Sequence, residues 1–188
     1  MTHTPHLLLV EAPYYAHIAA ELRRGAEVAI AAAGASHESI SVPGAFEIPA
    51  AIAAVARAGE RFDGFVALGC VIRGETTHYD HICAESARGL QDLAVRDGVA
   101  IGYGILTVET EAQALVRASP EHRDKGGEAV RACVAIIDLK RQLQAGESPR
   151  VIGKTVERVE ELLNSGSDAS LVYAGYPYDP FAPGRSTH

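Results

Sequence analysis

A chain of 188 residues with 47% hydrophobic side chains and mixed charge suits one globular domain with a real core. Its formal net charge of -7 argues against nucleic acid or an acidic membrane surface as partner, and leaves room for a local basic pocket. Three cysteines (Cys70, Cys83, Cys133) are too few and too scattered for a disulfide framework or a CxxC metal site. All three are expected as small, mostly buried thiols in a reducing compartment. The apolar start at residues 7–10 is too short for a signal peptide, no run approaches a membrane span, and the cytoplasm is the expected location.

Residues 6–12 (HLLLVEA) form an apolar run that reads as a strand buried on both faces. Pro13-Tyr14-Tyr15 breaks it. An alanine-rich helix follows over 17–33, with Ile18, Leu22, Ala26, Ala29 and Ile30 at helical spacing and Gly34 as its stop. Residues 37–42 (HESISV) alternate as a second strand and end in Pro43-Gly44; a helix runs from about 46 to 58, with Gly59 beyond. The third strand covers 63–72, and the helix behind it reaches about 95. Residues 99–108 make a fourth strand, whose Gly102 and Gly104 mark places where backbone or ligand approaches closely. A short helix over 110–118 and a polar stretch with Pro120 come next. Lys125-Gly126-Gly127 opens a final helix with Ala129, Cys133, Ile136 and Leu139 or Lys140 along one side.

Strands alternating with helices in the order β-α-β-α-β-α-β-α-α imply an α/β fold: a four-stranded parallel sheet with right-handed crossovers and helices on both faces. After about Gln144 the character changes, so the chain is read as a domain over 1–144 and an extension over 145–188. Residues 157–163 have the pattern of an amphipathic turn or two. Residues 164–170 (NSGSDAS) resemble a flexible linker, and 171–188 are rich in Pro, Gly and Tyr without periodicity, hence irregular or disordered.

Ligands of open α/β sheets bind beyond the carboxyl ends of the strands. The first strand delivers Tyr14 and Tyr15 to that edge, the second Gly44, Ala45, Phe46 and Glu47, the third residues 73–78 and the fourth Thr107, Glu109 and Thr110. Within six residues the third loop offers a cation, a glycine, a carboxylate, two hydroxyls and the imidazole of His78, a mixture suited to a phosphorylated polar molecule. Each residue also has a plainer role open to it. Glu47 sits where a helix dipole favours a carboxylate, Arg73 can pair with Glu75 or Glu47, and Glu75, Thr76 and Thr77 can cap the next helix. Arg117 and Lys125 lie beyond a helix that runs away from the ligand edge, so they are surface charges or they complete a site on a neighbouring chain. No GxGxxG, P-loop or Gly-x-Ser-x-Gly elbow is present. His78 and His81 share a helical face, but no third metal ligand accompanies them.

Four blocks carry a resemblance: VPGAFEIPAAI (42–52), GCVIRGETTHYDHIC (69–83), GYGILTVET (102–110) with Gln113 and Arg117-Ala118, and Lys125-Gly126-Gly127-Glu128-Ala129. In order and spacing, over roughly residues 6–143, they resemble the lumazine synthases. The resemblance implies a flavodoxin-like three-layer sandwich and the penultimate step of riboflavin biosynthesis. In that step 5-amino-6-(D-ribitylamino)uracil and 3,4-dihydroxy-2-butanone 4-phosphate give 6,7-dimethyl-8-ribityllumazine, phosphate and water, with no cofactor or metal. It implies that Tyr14 stacks on the pyrimidine, that Ala45, Phe46 and Glu47 hold the ribityl chain and uracil, and that the backbone of Cys70, Val71 and Ile72 reads the heterocycle edge. Glu75 and Thr76 fall in the loop that holds the butanone phosphate, and His78 is the catalytic proton carrier. Tyr103, Arg117 and Lys125 correspond to positions supplied by the adjacent subunit of a homopentamer or a multiple of it, with Arg117 on the phosphate and Glu128 orienting it. Two departures stand out. The first loop reads Pro13-Tyr14-Tyr15 where many relatives have Arg-Phe-Asn, and Tyr103 replaces Phe. The extension has no counterpart in the resemblance. A related transferase that dismutates the lumazine, and a capsid-like scaffold, are the alternative readings.

Overall fold

In the computed structural model, residues 4–59 and 62–147 are described. The readings made for 157–188 therefore lie outside the described residues. The chain runs β1 (His6–Glu11), α1 (Ala16–Ala32), β2 (Ser36–Ser41), a 3-10 turn at Ala45–Glu47, α2 (Ile48–Arg57), β3 (Gly64–Ile72), α3 (His78–Arg96), β4 (Ile101–Val108), α4 (Glu111–Ala118) and α5 (Lys125–Gln144). All strand pairs are parallel and the sheet order is β2-β1-β3-β4. Over the described residues the expected elements are present, with ends shifted by no more than three residues, which is ordinary fraying at boundaries.

Alternation along the two inner strands sorts the core into layers. Leu7 and Leu9 of β1, with Val66 and Leu68 of β3, pack against Ala26, Ala29 and Ile30 of α1 and Ala129, Val130, Cys133 and Ile137 of α5. Leu8, Val10, Phe65 and Ala67 point the other way, onto Ile48 and Ile52 of α2 and Leu90 and Leu93 of α3. Each fully buried side chain of this size contributes about 1.5–3 kcal/mol relative to exposure. On α5 Ala129 and Cys133 face the core as expected, but the stripe continues through Ile137, while Ile136 is 43% exposed. Strand β2 is an edge strand with mostly exposed side chains, unlike β1.

Glycine permits the tightest approaches. A Cβ on Gly102 would stand 2.0 Å from the Ala129 carbonyl oxygen, so the close neighbour foreseen at this strand glycine is the backbone of α5. A Cβ on Gly126 would stand 2.0 Å from the carbonyl oxygen of Leu22, which lets α5 press against α1. Gly34, at φ 62, stops α1 as expected. Glu11, 1% exposed, is the charged residue of the core; its Oε2 accepts from Arg23 at 2.8 and 2.9 Å, and its buried Oε1 has no hydrogen bond. Cys70 and Cys133 are buried as expected, whereas Cys83 is only partly covered. Among the described residues no helix is long and apolar enough to cross a membrane.

Candidate active site

Chain direction reverses between β1 and β3: from β1 one crossover leads outward to β2, and the next leads back past β1 to β3. The crevice at the carboxyl ends of two such strands is where open α/β sheets take ligands. A cavity of about 610 Å³ lies there, lined by Tyr14 and Tyr15 after β1, Pro43 to Glu47 after β2, Cys70, Val71 and Ile72 of β3, and His78, His81 and Ile82 of α3.

Its floor follows from the register. β1 and β3 pair as far as Glu11 opposite Leu68, and Ala12 N–H donates to the Leu68 carbonyl at 2.9 Å. β3 continues to Ile72, paired there only with β4. In a parallel strand the main-chain groups of successive residues face alternate sides. Leu68 faces β1 and Arg73 N–H donates to Val108 of β4 at 3.0 Å, so the main chain of Cys70 and Ile72 faces the side that β1 has vacated. These peptide groups look into the cavity, while Val71 is engaged with β4.

The walls come from short turns. Ala45–Glu47 form a single 3-10 turn, closed by Glu47 N–H on the Gly44 carbonyl at 3.2 Å, before α2 takes over with Pro49 in its first turn. The turn buries Ala45 and leaves Phe46 52% exposed over the opening. Tyr14, 74% exposed, meets Tyr15 edge to face with centroids 5.0 Å apart. Tyr15 turns inward against the cluster of Ile18, Leu22, Cys70 and Leu106. Burial, with Cys70 close by, raises the Tyr15 phenol above its usual range, and burial pushes the Cys70 thiol up to about 12. Both stay protonated near neutral pH.

Of the expected site residues, Tyr14, Ala45, Phe46, Glu47, Cys70, Val71, Ile72 and His78 come together around this cavity. Glu75 and Thr76 sit on the exposed loop beside it. Tyr103, Arg117 and Lys125 do not line it. Tyr103 borders a separate depression with Ala87, Leu90 and Ile101; Arg117 Nη1 donates to its own helix at Gln113 O, 3.0 Å away; and Lys125 pairs with Glu128. Glu128 therefore holds Lys125 within this chain and not Arg117. The fourth strand's Thr107, Glu109 and Thr110 do not line the cavity either, because Thr110 caps α4 and Glu109 is held by Arg73. Arg73 pairs with Glu109 and Asp80, in place of the Glu75 or Glu47 expected. Thr77, at the start of α3, gives no side-chain cap. Pro43, His81 and Ile82 were overlooked. Residues 78, 81 and 82 lie three and four apart on one helical face, and that spacing was the signal for the last two.

By fold and by the placing of its cavity at the switch point, this is a small-molecule protein of the flavodoxin-like α/β class. A profile of the 6,7-dimethyl-8-ribityllumazine synthase family matches residues 4–141, and the chain belongs to that family. A 6,7-dimethyl-8-ribityllumazine synthase of Sphingopyxis alaskensis is 54% identical over 141 residues, spanning 75% of this chain and 99% of the relative. Similar matches are to enzymes of the same name from Methylocella silvestris (56% identity, 74% of this chain, 88% of the relative) and Novosphingobium aromaticivorans (55%, 72% and 96%).

Proposed function

We propose that the chain is the transferase that condenses 5-amino-6-(D-ribitylamino)uracil with 3,4-dihydroxy-2-butanone 4-phosphate in riboflavin biosynthesis, acting in the cytoplasm. The observation that carries this reading is the cavity itself. Two of the sequence blocks shared with lumazine synthases, 42–52 and 69–83, converge on it with the Tyr14-Tyr15 loop, in a chain of that family. Tyr14 and Phe46 offer aromatic faces to a planar heterocycle, and the free peptide groups of Cys70 and Ile72 complement its donor and acceptor edge. Glu47 and the peptide groups of the Ala45–Glu47 turn suit a polyol chain. Glu75 and Thr76 border the phosphate. The chemistry asks for proton movement at each stage. The uracil's primary amine adds to the ketone to give a carbinolamine, which loses water to an imine; phosphate leaves by elimination, and ring closure expels a second water. His78 at the cavity edge is placed to carry these protons, and two substrates held together supply much of the remaining acceleration.

Arg117 and Lys125 face away from this cavity, so a phosphate-binding role for them requires a second copy whose α4–α5 connection and Tyr103 close the site. That requirement supports an oligomer as the active form, and the family resemblance makes it a homopentamer or a multiple of it. The catalytic unit is read as 1–144, since the family match ends at 141 and α5 at Gln144; 145–188 is an extension to it. The test is to mix purified protein with both substrates and follow lumazine absorbance and fluorescence. Product above the uncatalysed rate is expected, and none from a folded oligomer overturns the reading.

A further inference from the structure

The loop 74–77 bordering the proposed phosphate position has few bonds of its own. All four residues are exposed, a Cβ on Gly74 would meet nothing within 4 Å, and within the loop His78 N–H reaches Thr76 Oγ1 at 3.4 Å. Its position is therefore set from its two ends. Both ends lead to Arg73. The Arg73 main chain is locked into the sheet through the Val108 carbonyl. Its side chain reaches across the loop to the first turn of α3, where Nη2 and Nη1 donate to the two oxygens of Asp80 at 3.0 and 3.3 Å. Nε donates to Glu109, 2.9 Å from the nearer oxygen, and the guanidinium carbon Cζ lies over the Tyr79 ring, 4.0 Å from its centroid. Glu109 is fixed in turn, its N–H donating to Gln113 Oε1 at 3.0 Å on α4. The guanidinium thus joins β3, α3 and the β4–α4 corner.

We infer that Arg73 is a positioning residue: it clasps the loop 74–77 and the His78 turn in the geometry that receives the phosphorylated substrate, without itself contacting the phosphate. The inference rests on the synthase reading, in which Glu75 and Thr76 border that phosphate. Charge argues for the clasp over direct binding. One cation stands between two carboxylates, so the cluster carries a formal charge of -1 and repels a phosphate dianion. The forked, stacked geometry is one that a lysine cannot reproduce. Without the clasp, the loop's ordering has to be supplied at binding.

The test is steady-state kinetics and hydrogen exchange on Arg73→Ala, Arg73→Lys and Asp80→Asn in the full chain. Arg73→Ala is expected to raise KM for the butanone phosphate about tenfold and to leave KM for the pyrimidine within about twofold. Arg73→Lys is expected to restore little, and Asp80→Asn to raise the same KM in the same direction. If Arg73 instead holds the phosphate, Asp80→Asn frees the guanidinium and lowers that KM, which overturns the proposal; so does an Arg73→Ala enzyme with wild-type constants. Exchange separates this from failure of the synthase reading. The amides of Asp80 and His81, both bonded to the Thr77 carbonyl, should exchange about tenfold faster in Arg73→Ala and Asp80→Asn whatever the enzyme makes. Unchanged exchange refutes the clasp, while a wild-type protein that makes no lumazine refutes only the reading it rests on.

Discussion

Replacing Gly126 by alanine asks a sharp question of the α1–α5 contact. The added methyl would stand 2.0 Å from the Leu22 carbonyl oxygen, 2.9 Å from the carbonyl carbon and 3.2 Å from Ala26 N. These are backbone atoms of α1 and cannot rotate aside. Ordinary carbon–oxygen contact is about 3.3 Å, so the helices have to part by about 1 Å. Overpacking of this kind costs about 3 kcal/mol, and alanine's better helix propensity returns up to about 1 kcal/mol, leaving about 2 kcal/mol of destabilisation. For a fold of this size that lowers Tm by about 6 °C. The assay is thermal unfolding followed by circular dichroism, at one fixed protein concentration because any self-assembly would contribute to Tm. Gly74→Ala, whose methyl meets open space, is the control and should lose nothing. A Gly126→Ala protein as stable as wild type would refute the close-approach argument.

His78→Ala should lower kcat about 100-fold in the lumazine assay; a fully active variant removes His78 from proton transfer. Arg117→Ala should mainly raise KM for the butanone phosphate. Co-assembling it with His78→Ala should restore activity at about a quarter of the sites if neighbouring copies share each one. No recovery from verified mixed oligomers would argue for a site within one chain. Alkylation at pH 8 should spare Cys133 in the folded protein, since burial removes access and pushes its thiol up to about 12; rapid labelling there by mass spectrometry would contradict the packed α5 interface. For Glu11, burial outweighs Arg23 and raises the carboxyl above its ordinary 4.5, so the folded state holds the proton more tightly than the unfolded chain. The stability it contributes is full below 4.5 and is lost as pH rises through the raised folded value. Glu11→Gln, which cannot ionise, should flatten that part of the Tm–pH curve, and curves of equal slope would count against the shift.

Period and punctuation made most of the architecture readable. The unbroken apolar run of residues 7–10, the helical spacing of Ile18, Leu22 and Ala26, and the glycine stop at Gly34 are local signals, and local chemistry set those elements. What was misjudged depends on partners distant in sequence. Arg73 has carboxylates at 75 and 47 within plausible reach of the chain, yet its direction at the end of β3 is fixed by β4, which brings Glu109 to it. Lys125 and Glu128 meet because they lie three apart in a helix, and this local pairing took Glu128 from Arg117. Ile136 and Ile137 are both apolar, so the sequence alone does not say which of them the twist of α5 turns inward. At the site, the loops after β1, β2 and β3 were legible because each ends a strand in Pro, Gly or polar residues. His81 was hidden because it was weighed only as a metal ligand and not as the next turn of the face that carries His78.

The overhang of β3 beyond β1 has a consequence for how this site can change over time. Side chains at 70 and 72 can drift under mutation, but the peptide groups between them cannot be substituted away, except by proline. A ligand that draws its specificity from those groups is read by a part of the protein that nearly every point mutation leaves in place. An inhibitor built on the same main-chain contacts would be hard to escape by mutation at those positions. Resistance would have to come from the tyrosines and Phe46 that cover the opening, or from the register of the sheet itself.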